Sequence, residues 1–296
     1  MTYLYYPGCS LKCSGRAYEE SLLPVFESLG IPLTELPDWN CCGATAYMSV
    51  DQQASFLLAL RNLALAERYG GDTKEPVHLV APCAACYLAL IKVQHRIAEH
   101  PEIARETTED LAEAGLEYRG NVRVRHPLEV LVDDVGLDAI RSRVRAPLHG
   151  LRVACYYGCQ IVRPYPVFDD PVNPTTLDRL MTAIGAEPVT WPLKTRCCGG
   201  TLTGTLHEMG ARLSVLLVEE AVRRGAATMA TACPLCQFNL DCYQQKRGAL
   251  ATSLPIVYFT QLVGLAFGIP GKRLGLGRHM IPLEPALAAA AGASHD

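Results

Sequence analysis

Apolar and polar positions along this chain switch between two periodicities, and the switches come in the same order twice. The first half opens with a short apolar run, Tyr3-Leu4-Tyr5-Tyr6-Pro7, that ends at Gly8-Cys9. The second half has Val153-Ala154-Cys155-Tyr156-Tyr157, ending at Gly158-Cys159. Each reads as a β-strand that delivers a cysteine to its carboxyl end. A 3.6-residue period follows each: Ala17 to Leu29, stopped by Gly30, and Thr175 to Ile184, stopped by Gly185. Short extended segments come next, Leu33 to Leu36 and Pro188 to Trp191, each leading to Cys-Cys-Gly. A second helical pattern then runs from Gln52 to Tyr69 and from His207 to Arg224, closed by Gly70 and Gly225. Another strand, Val77 to Ala81 or Thr228 to Thr231, delivers a C-x-x-C. Closing runs of matching text end each half, from Val124 to Leu131 and from Ile256 to Val263.

Strands that alternate with helices predict an α/β fold with a mainly parallel sheet, and here the unit is built twice. The expected divisions are a first cysteine-rich domain over 1–145, a second over 146–271, and a tail over 272–296 expected to be partly disordered. The first domain carries an additional helical stretch, His95 to Ala114, that has no counterpart in the second. Ile256 to Ile269 reads as a buried amphipathic helix, too short to cross a membrane.

Length and charge narrow the class. The chain has 296 residues, 49% hydrophobic and 19% charged, with net charge −3. That describes a globular protein with a sizeable core and no basic face for nucleic acid. The N-terminus lacks a basic and apolar leader pattern, and no transmembrane segment is expected, so a cytoplasmic location is expected. In a reducing compartment, clustered cysteines serve as metal ligands or catalysts more often than as structural disulfides.

There are thirteen cysteines, and ten fall into the repeat. The first set is Cys9, Cys41, Cys42, Cys83 and Cys86. The second is Cys159, Cys197, Cys198, Cys233 and Cys236. Aligning the two Gly-Cys ends matches Cys159, not Cys155, with Cys9. Cys13, Cys155 and Cys242 have no partner in the repeat and are read as packing residues. Thiolates select soft metals or iron–sulfur clusters. Five per set is one more than a tetrahedral ion or a cubane needs. An adjacent pair converges on one centre only in a turn, because neighbouring strand side chains point to opposite faces; Gly43 and Gly199 suit such a turn. The histidines, His126 included, form no paired motif and are read as packing or surface residues. Tyr5, Tyr6, Tyr156 and Tyr157 flank the lone cysteines and are read as strand packing, with the lining of a pocket beside a cluster as the alternative. There is no P-loop, no G-x-G-x-x-G and no G-x-S-x-G.

At these residues the chain resembles the cysteine-rich domain of the heterodisulfide reductase B subunit, whose relatives occur in thiol:fumarate reductase, one class of succinate dehydrogenase, and glycolate, lactate and glycerol-3-phosphate oxidation systems. Flanking text carries the resemblance too, in Pro82-Cys83-Ala84-Ala85-Cys86, in Cys233 to Asp241 and in Phe259-Thr260-Gln261-Leu262. The resemblance spans residues 1 to about 270 and implies one noncubane 4Fe–4S cluster on each set of five cysteines. It implies a disulfide or thiol substrate between the two clusters, with a lipoyl-bound form in sulfur-oxidising relatives. Two partners are implied as well: a ferredoxin-like iron–sulfur subunit (of the C type) and a flavin subunit (of the A type). An exposed apolar surface is expected where they dock, with Ile256–Ile269 or His95–Ala114 contributing. The competing readings are an electron-relay or structural subunit with ordinary cubanes, or zinc in one half, and a metal-free dithiol oxidoreductase using Cys83/Cys86 and Cys233/Cys236.

Overall fold

A computed structural model of the chain describes residues 3–44, 46–71, 74–244 and 253–293. The first half runs β1 (Tyr3–Tyr5), α1 (Gly8–Leu11), α2 (Arg16–Ser28), β2 (Leu33–Glu35), α3 (Ala46–Val50), α4 (Gln52–Gly70), β3 (Val77–Val80), α5 (Ala84–Glu99), α6 (Pro101–Glu113), β4 (Val122–Arg125) and α7 (Pro127–Glu129). A π-helical turn, Val130–Val135, and α8 (Leu137–Arg143) lead into the second half. There the order is β5 (Arg152–Tyr156), α9 (Thr176–Ala183), β6 (Glu187–Pro188), α10 (Leu202–Thr205), α11 (His207–Arg223), β7 (Thr228–Thr231), α12 (Pro234–Tyr243), β8 (Ile256–Tyr258) and α13 (Phe259–Ala266).

Each half is a four-stranded parallel sheet, in the orders β2-β1-β3-β4 and β6-β5-β7-β8. The two orders correspond strand for strand, as the repeat requires. The central strands are buried through Leu79, Val80, Val153, Ala154, Met229 and Ala230. Burial on both sides is what parallel sheets covered by helices demand.

Two expectations need correction. Residues 95–114 are not one helix. Helix α5 begins at Ala84 and carries on to Glu99; α6 starts afresh at Pro101. A proline clashes with helical geometry in the residue before it, and His100 is extended, with φ −132° and ψ 90°. Ile256–Ile269 is likewise not one helix: Ile256–Tyr258 is a strand, and only then does α13 begin. Gln261 Oε1 accepts from Tyr258 N at 2.8 Å and caps the start of α13, as Glu129 does for His126 N at the start of α7. Residues 256–263 are also buried, so this segment is interior and offers no docking surface. Large exposed apolar side chains lie elsewhere, notably Leu206 at the start of α11 and Met209, Leu213 and Leu216 along it.

The halves meet along a broad seam. Helix α2 packs on α13, and α9 packs on α7 and α8. Ser21 and Thr260 hydroxyls lie 2.6 Å apart within the first contact. Beyond Gly271, the tail is described through residue 293 as two 3-10 turns and a helix, α14 (Glu284–Ala293). It returns to the first half, where Arg278 pairs with Glu20 at 2.6 Å. Residues 294–296 lie outside the described part.

Candidate metal centre

At the carboxyl ends of the two sheets, the cysteines of the repeat sit just beyond a strand, in a turn, or, for Cys86 and Cys236, in the first turn of a helix. Cys9 and Cys159 follow β1 and β5; Cys83 and Cys233 directly precede the first residues of α5 and α12. The paired cysteines occupy turns closed by Gly43 and Gly199, at φ +68° and +100°. These left-handed values favour glycine, in agreement with the sequence reading.

Side chains pin those turns in the same way in both halves. Tyr6 Oη donates to Asn40 O at 2.8 Å, and Tyr156 Oη donates to Arg196 O at 2.6 Å. In each case the acceptor is the carbonyl one residue before the cysteine pair. Ser55 Oγ from α4 donates to Gly43 O at 2.9 Å; Ser214 Oγ from α11 donates to Cys198 O at 2.7 Å. Cys198 Sγ accepts from Gly200 N at 3.4 Å, as Cys42 is acted on by the backbone of Ala44, and in the second turn Asn239 Nδ2 also lies 3.6 Å from Cys198 Sγ.

The thiols of each set form a close run. Cys9 and Cys41 Sγ lie 4.0 Å apart, and Cys42 and Cys86 Sγ 3.3 Å apart. Cys198 and Cys236 Sγ lie 3.5 Å apart. Cys41 and Cys42, Cys83 and Cys86, Cys233 and Cys236, and Cys197 with both Cys198 and Cys159 act on each other's acidity. Between the halves, Cys83 and Cys233 act on each other's acidity. The outer ends, Cys9, Cys41 and Cys197, are exposed and Cys159 is half-buried; the other six are buried. Among the described residues, no three Cys, His, Asp or Glu side chains gather as a single-ion site.

Such a run has uneven acidity. Bonds from Cys42 and Cys9 bring Cys41 down to about 2, and bonds from Cys159 and Cys198 bring Cys197 down to about 2. The bond with Cys41 raises Cys42 to about 11, and that with Cys197 raises Cys198 to about 12. Buried like charges cannot all ionise together, so full ionisation of either set requires a cationic partner. Soft thiolate donors in that number suit an iron–sulfur centre. The backbone also leaves room for sulfur: a Cβ at Gly8 would come within 2.8 Å of Cys86 Sγ, and one at Gly158 within 3.2 Å of Cys236 Sγ. Both glycines have positive φ.

Cys155 lies inside β5, fully buried, and its carbonyl accepts from Trp191 Nε1 at 3.0 Å. Burial raises its thiol well above the ordinary range, followed by the Asp178 charge, and no cysteine acts on it. Cys13 is exposed and Cys242 half-buried. His126 is a residue whose place the sequence did not reveal. It is fully buried at the seam, its Nδ1 accepting from Leu128 N at 3.2 Å and its Nε2 3.3 Å from Ala232 O. Phe168, from the second half, stacks on it with centroids 6.1 Å apart.

The profile of the cysteine-rich domain (CCG) matches residues 3–91 and 153–241, one copy per sheet. The chain is 33% identical to the 8-methylmenaquinol:fumarate reductase membrane anchor subunit of Wolinella succinogenes, over 94% of this chain and 96% of that one. It is 33% identical to an Archaeoglobus profundus protein named for its likeness to the heterodisulfide reductase B subunit, over 91% and 92%. Identity is 29% to the B subunit of a ferredoxin/F420H2-dependent CoB-CoM heterodisulfide reductase of Methanosarcina acetivorans, over 93% and 92%. In fold, it resembles the crystal structure of a hypothetical protein from Helicobacter pylori, with TM-score 0.75 at 15% identity. That match covers 95% of this chain, which spans about half, 52%, of the other.

Proposed function

Because the chain belongs to the CCG cysteine-rich domain family, with two complete copies related to the heterodisulfide reductase B subunit, we infer that it is the iron–sulfur catalytic subunit of a heterodisulfide reductase-like complex. Cys9, Cys41, Cys42, Cys83 and Cys86 would hold one 4Fe–4S cluster, and Cys159, Cys197, Cys198, Cys233 and Cys236 the other. Bound clusters supply one-electron redox capacity and iron with affinity for sulfur. The observation that carries the reading is the close approach of thiols within each set, Cys9 to Cys41 and Cys42 to Cys86 in the first and Cys198 to Cys236 in the second. The fifth thiol of each set supports a noncubane cluster.

The net reaction is disulfide cleavage: the S–S bond takes two electrons, and each sulfur leaves as a thiol after gaining a proton. The reverse reaction oxidises two thiols. The chain's own residues shape the centre for this. Tyr6 and Tyr156 hold the cysteine-pair turns, and Gly200 N and Asn239 donate to Cys198. The electrons enter through a ferredoxin-like iron–sulfur subunit fed by a flavin subunit. The exposed apolar stripe Leu206, Met209, Leu213 and Leu216 supports a covering partner beside the second set.

A second reading has one observation in its favour, the 33% identity to a subunit of a quinol:fumarate reductase. On it, the clusters relay electrons and no disulfide is bound. Among the described residues, no helix is long and apolar enough to cross a membrane.

Anaerobic iron and acid-labile sulfide analysis tests the clusters: about eight irons per chain are expected. Roughly four irons with stoichiometric zinc would make one half structural. Disulfide turnover with a reduced cubane-cluster donor then separates catalyst from relay, since a relay passes electrons and leaves the disulfide intact.

A further inference from the structure

Tyr18 on α2 and Tyr258 at the end of β8 stack face to face across the seam, with centroids 4.5 Å apart and planes 10° from parallel. Both side chains are fully buried, and neither hydroxyl has a hydrogen-bond partner. A buried hydroxyl without a partner is costly, so two side by side need a reason.

The repeat shows that the scaffold does not impose them. Phe168 stands nine residues after Cys159, as Tyr18 stands nine after Cys9, although Tyr18 is in α2 and Phe168 in the loop before α9. By the closing text of each half, the residue equivalent to Tyr258 is His126. This second pair also stacks across the seam, with planes 8° apart. Phenylalanine has no hydroxyl, and His126 has partners for both ring nitrogens. The stacked pair itself thus carries no orphan on one side and two on the other, while Tyr87, whose hydroxyl also lacks a partner, packs edge-on against His126 and Phe168.

Both residues lie near the second C-x-x-C: a Cβ at Gly15, three residues before Tyr18, would come within 2.7 Å of Pro234. Tyr258 pairs with Thr231 in the sheet, and Thr231 is two residues before Cys233. After burial, the groups that raise Tyr18 include Cys233 and Cys83, and those that raise Tyr258 are led by Cys233, Cys83 and Cys236. These are the cysteines at which the two sets join.

We propose that Tyr18 and Tyr258 are positioning residues whose hydroxyls donate hydrogen bonds to anionic sulfur of the assembled centre at the Cys83–Cys233 junction, and so favour its reduced state. The inference rests on the cluster reading above. It adds that one side of the seam, and not the other, is tuned by phenol donors. Hydrogen bonds to cluster sulfur raise reduction potential, because they stabilise the added negative charge.

The test is Tyr18→Phe and Tyr258→Phe in the anaerobically assembled full chain, read by spectroscopic redox titration and iron content. Each variant is expected to keep its iron and to shift the reduction equilibrium about tenfold toward the oxidised form, or 59 mV for a one-electron step. Tyr87→Phe is the control. Its hydroxyl is also buried without a partner, but Glu129 and Arg125, not cysteines, are the charges acting on it. It is expected to leave the potential unmoved. A second readout is thermal unfolding: each seam variant should be as stable as wild type or more so without clusters, and less stable with them. If Tyr18→Phe does not load clusters, Tyr258→Phe carries the test. Full iron with unmoved potentials, or an equal shift in Tyr87→Phe, overturns this inference alone. Wild-type protein without iron overturns the cluster reading and this inference with it.

Discussion

Cys83 and Cys233, the first cysteines of the two C-x-x-C pairs, occupy equivalent places in the two halves and act on each other's acidity across the seam. Each stands at the start of a helix, α5 or α12, that leaves the carboxyl edge of its sheet. The two halves are therefore joined through their metal-binding edges.

That contact predicts unequal effects of removing single cysteines. Cys83→Ser should alter the spectroscopic signature of both clusters, because it stands where the two sets act on each other. Cys9→Ser, at the outer end of the run, should alter the first alone. Mössbauer spectra of the two anaerobically loaded variants check this. Equal and local effects would mean that the seam contact carries no electronic consequence.

Cys155 and Cys159 offer a sharper contrast within four residues. Cys159 bonds Cys197, whereas Cys155 is enclosed by the sheet and touches no thiol of the set. Cys155→Ser should keep full iron and lose roughly 1–3 kcal/mol of stability from burying a hydroxyl in an apolar site. Cys159→Ser should lose or convert the second cluster. Iron content and chemical unfolding of both variants separate the two roles, and the reverse pattern would break the alignment of the halves.

The helices and strands were legible because each has a clear period and a glycine stop. Gly30, Gly185 and Gly225 all take positive φ at the ends of their helices. The turns at Cys41-Cys42 and Cys197-Cys198 were legible from the glycine that follows. The split of residues 256–269 was not. Ile256 to Phe267 is almost uniformly apolar, so neither a period of two nor one of 3.6 stands out, and only Gln261 marks the boundary by capping it. The joining of Cys83 to Cys233 was not legible either, since it depends on how two sheets dock rather than on any local pattern. Phe168 illustrates the same point: it lies in a loop with no regular pattern, yet it reaches across to His126.

His126 makes acid a specific hazard. Burial, the largest influence, lowers it to about 4, against an ordinary value near 6.5. Its Nδ1 accepts from Leu128 N, so the folded state needs the neutral ring. Above pH 6.5 both folded and unfolded forms are neutral, and the residue adds no pH dependence. Between pH 6.5 and 4 the unfolded chain takes up the proton first, and stability falls by roughly 3 kcal/mol. His279, brought down to about 4 chiefly by burial, adds a loss of the same sign in the same window. Urea unfolding of cluster-free protein at pH 7.5 and pH 5 should show the decline. His126→Gln should flatten part of it, and an unchanged slope would assign the decline to other groups.

Tyr6 and Tyr156 supply the last prediction, and they answer the question their position raised in the sequence. Both are buried at strand ends, yet each does more than pack. Each hydroxyl donates to the carbonyl just before a cysteine pair. The bonds hold the entry to the turn, while Ser55 and Ser214 hold its exit. Replacing Tyr156 by Phe keeps the ring and removes one such bond, at a cost of about 1 kcal/mol, more if the freed carbonyl stays dry. The loss falls on the segment that sets the direction of Cys197, an exposed end of the thiol run. Tyr156→Phe should therefore release iron to a chelator faster than wild type. In the cluster-free chain it should also change the alkylation rate of Cys197 while leaving that of Cys41 alone. Tyr6→Phe should do the converse. The paired experiment is informative because the two halves control for each other. If both variants alkylate and lose iron as wild type does, the tyrosines are packing residues and the turns are held by their serines alone.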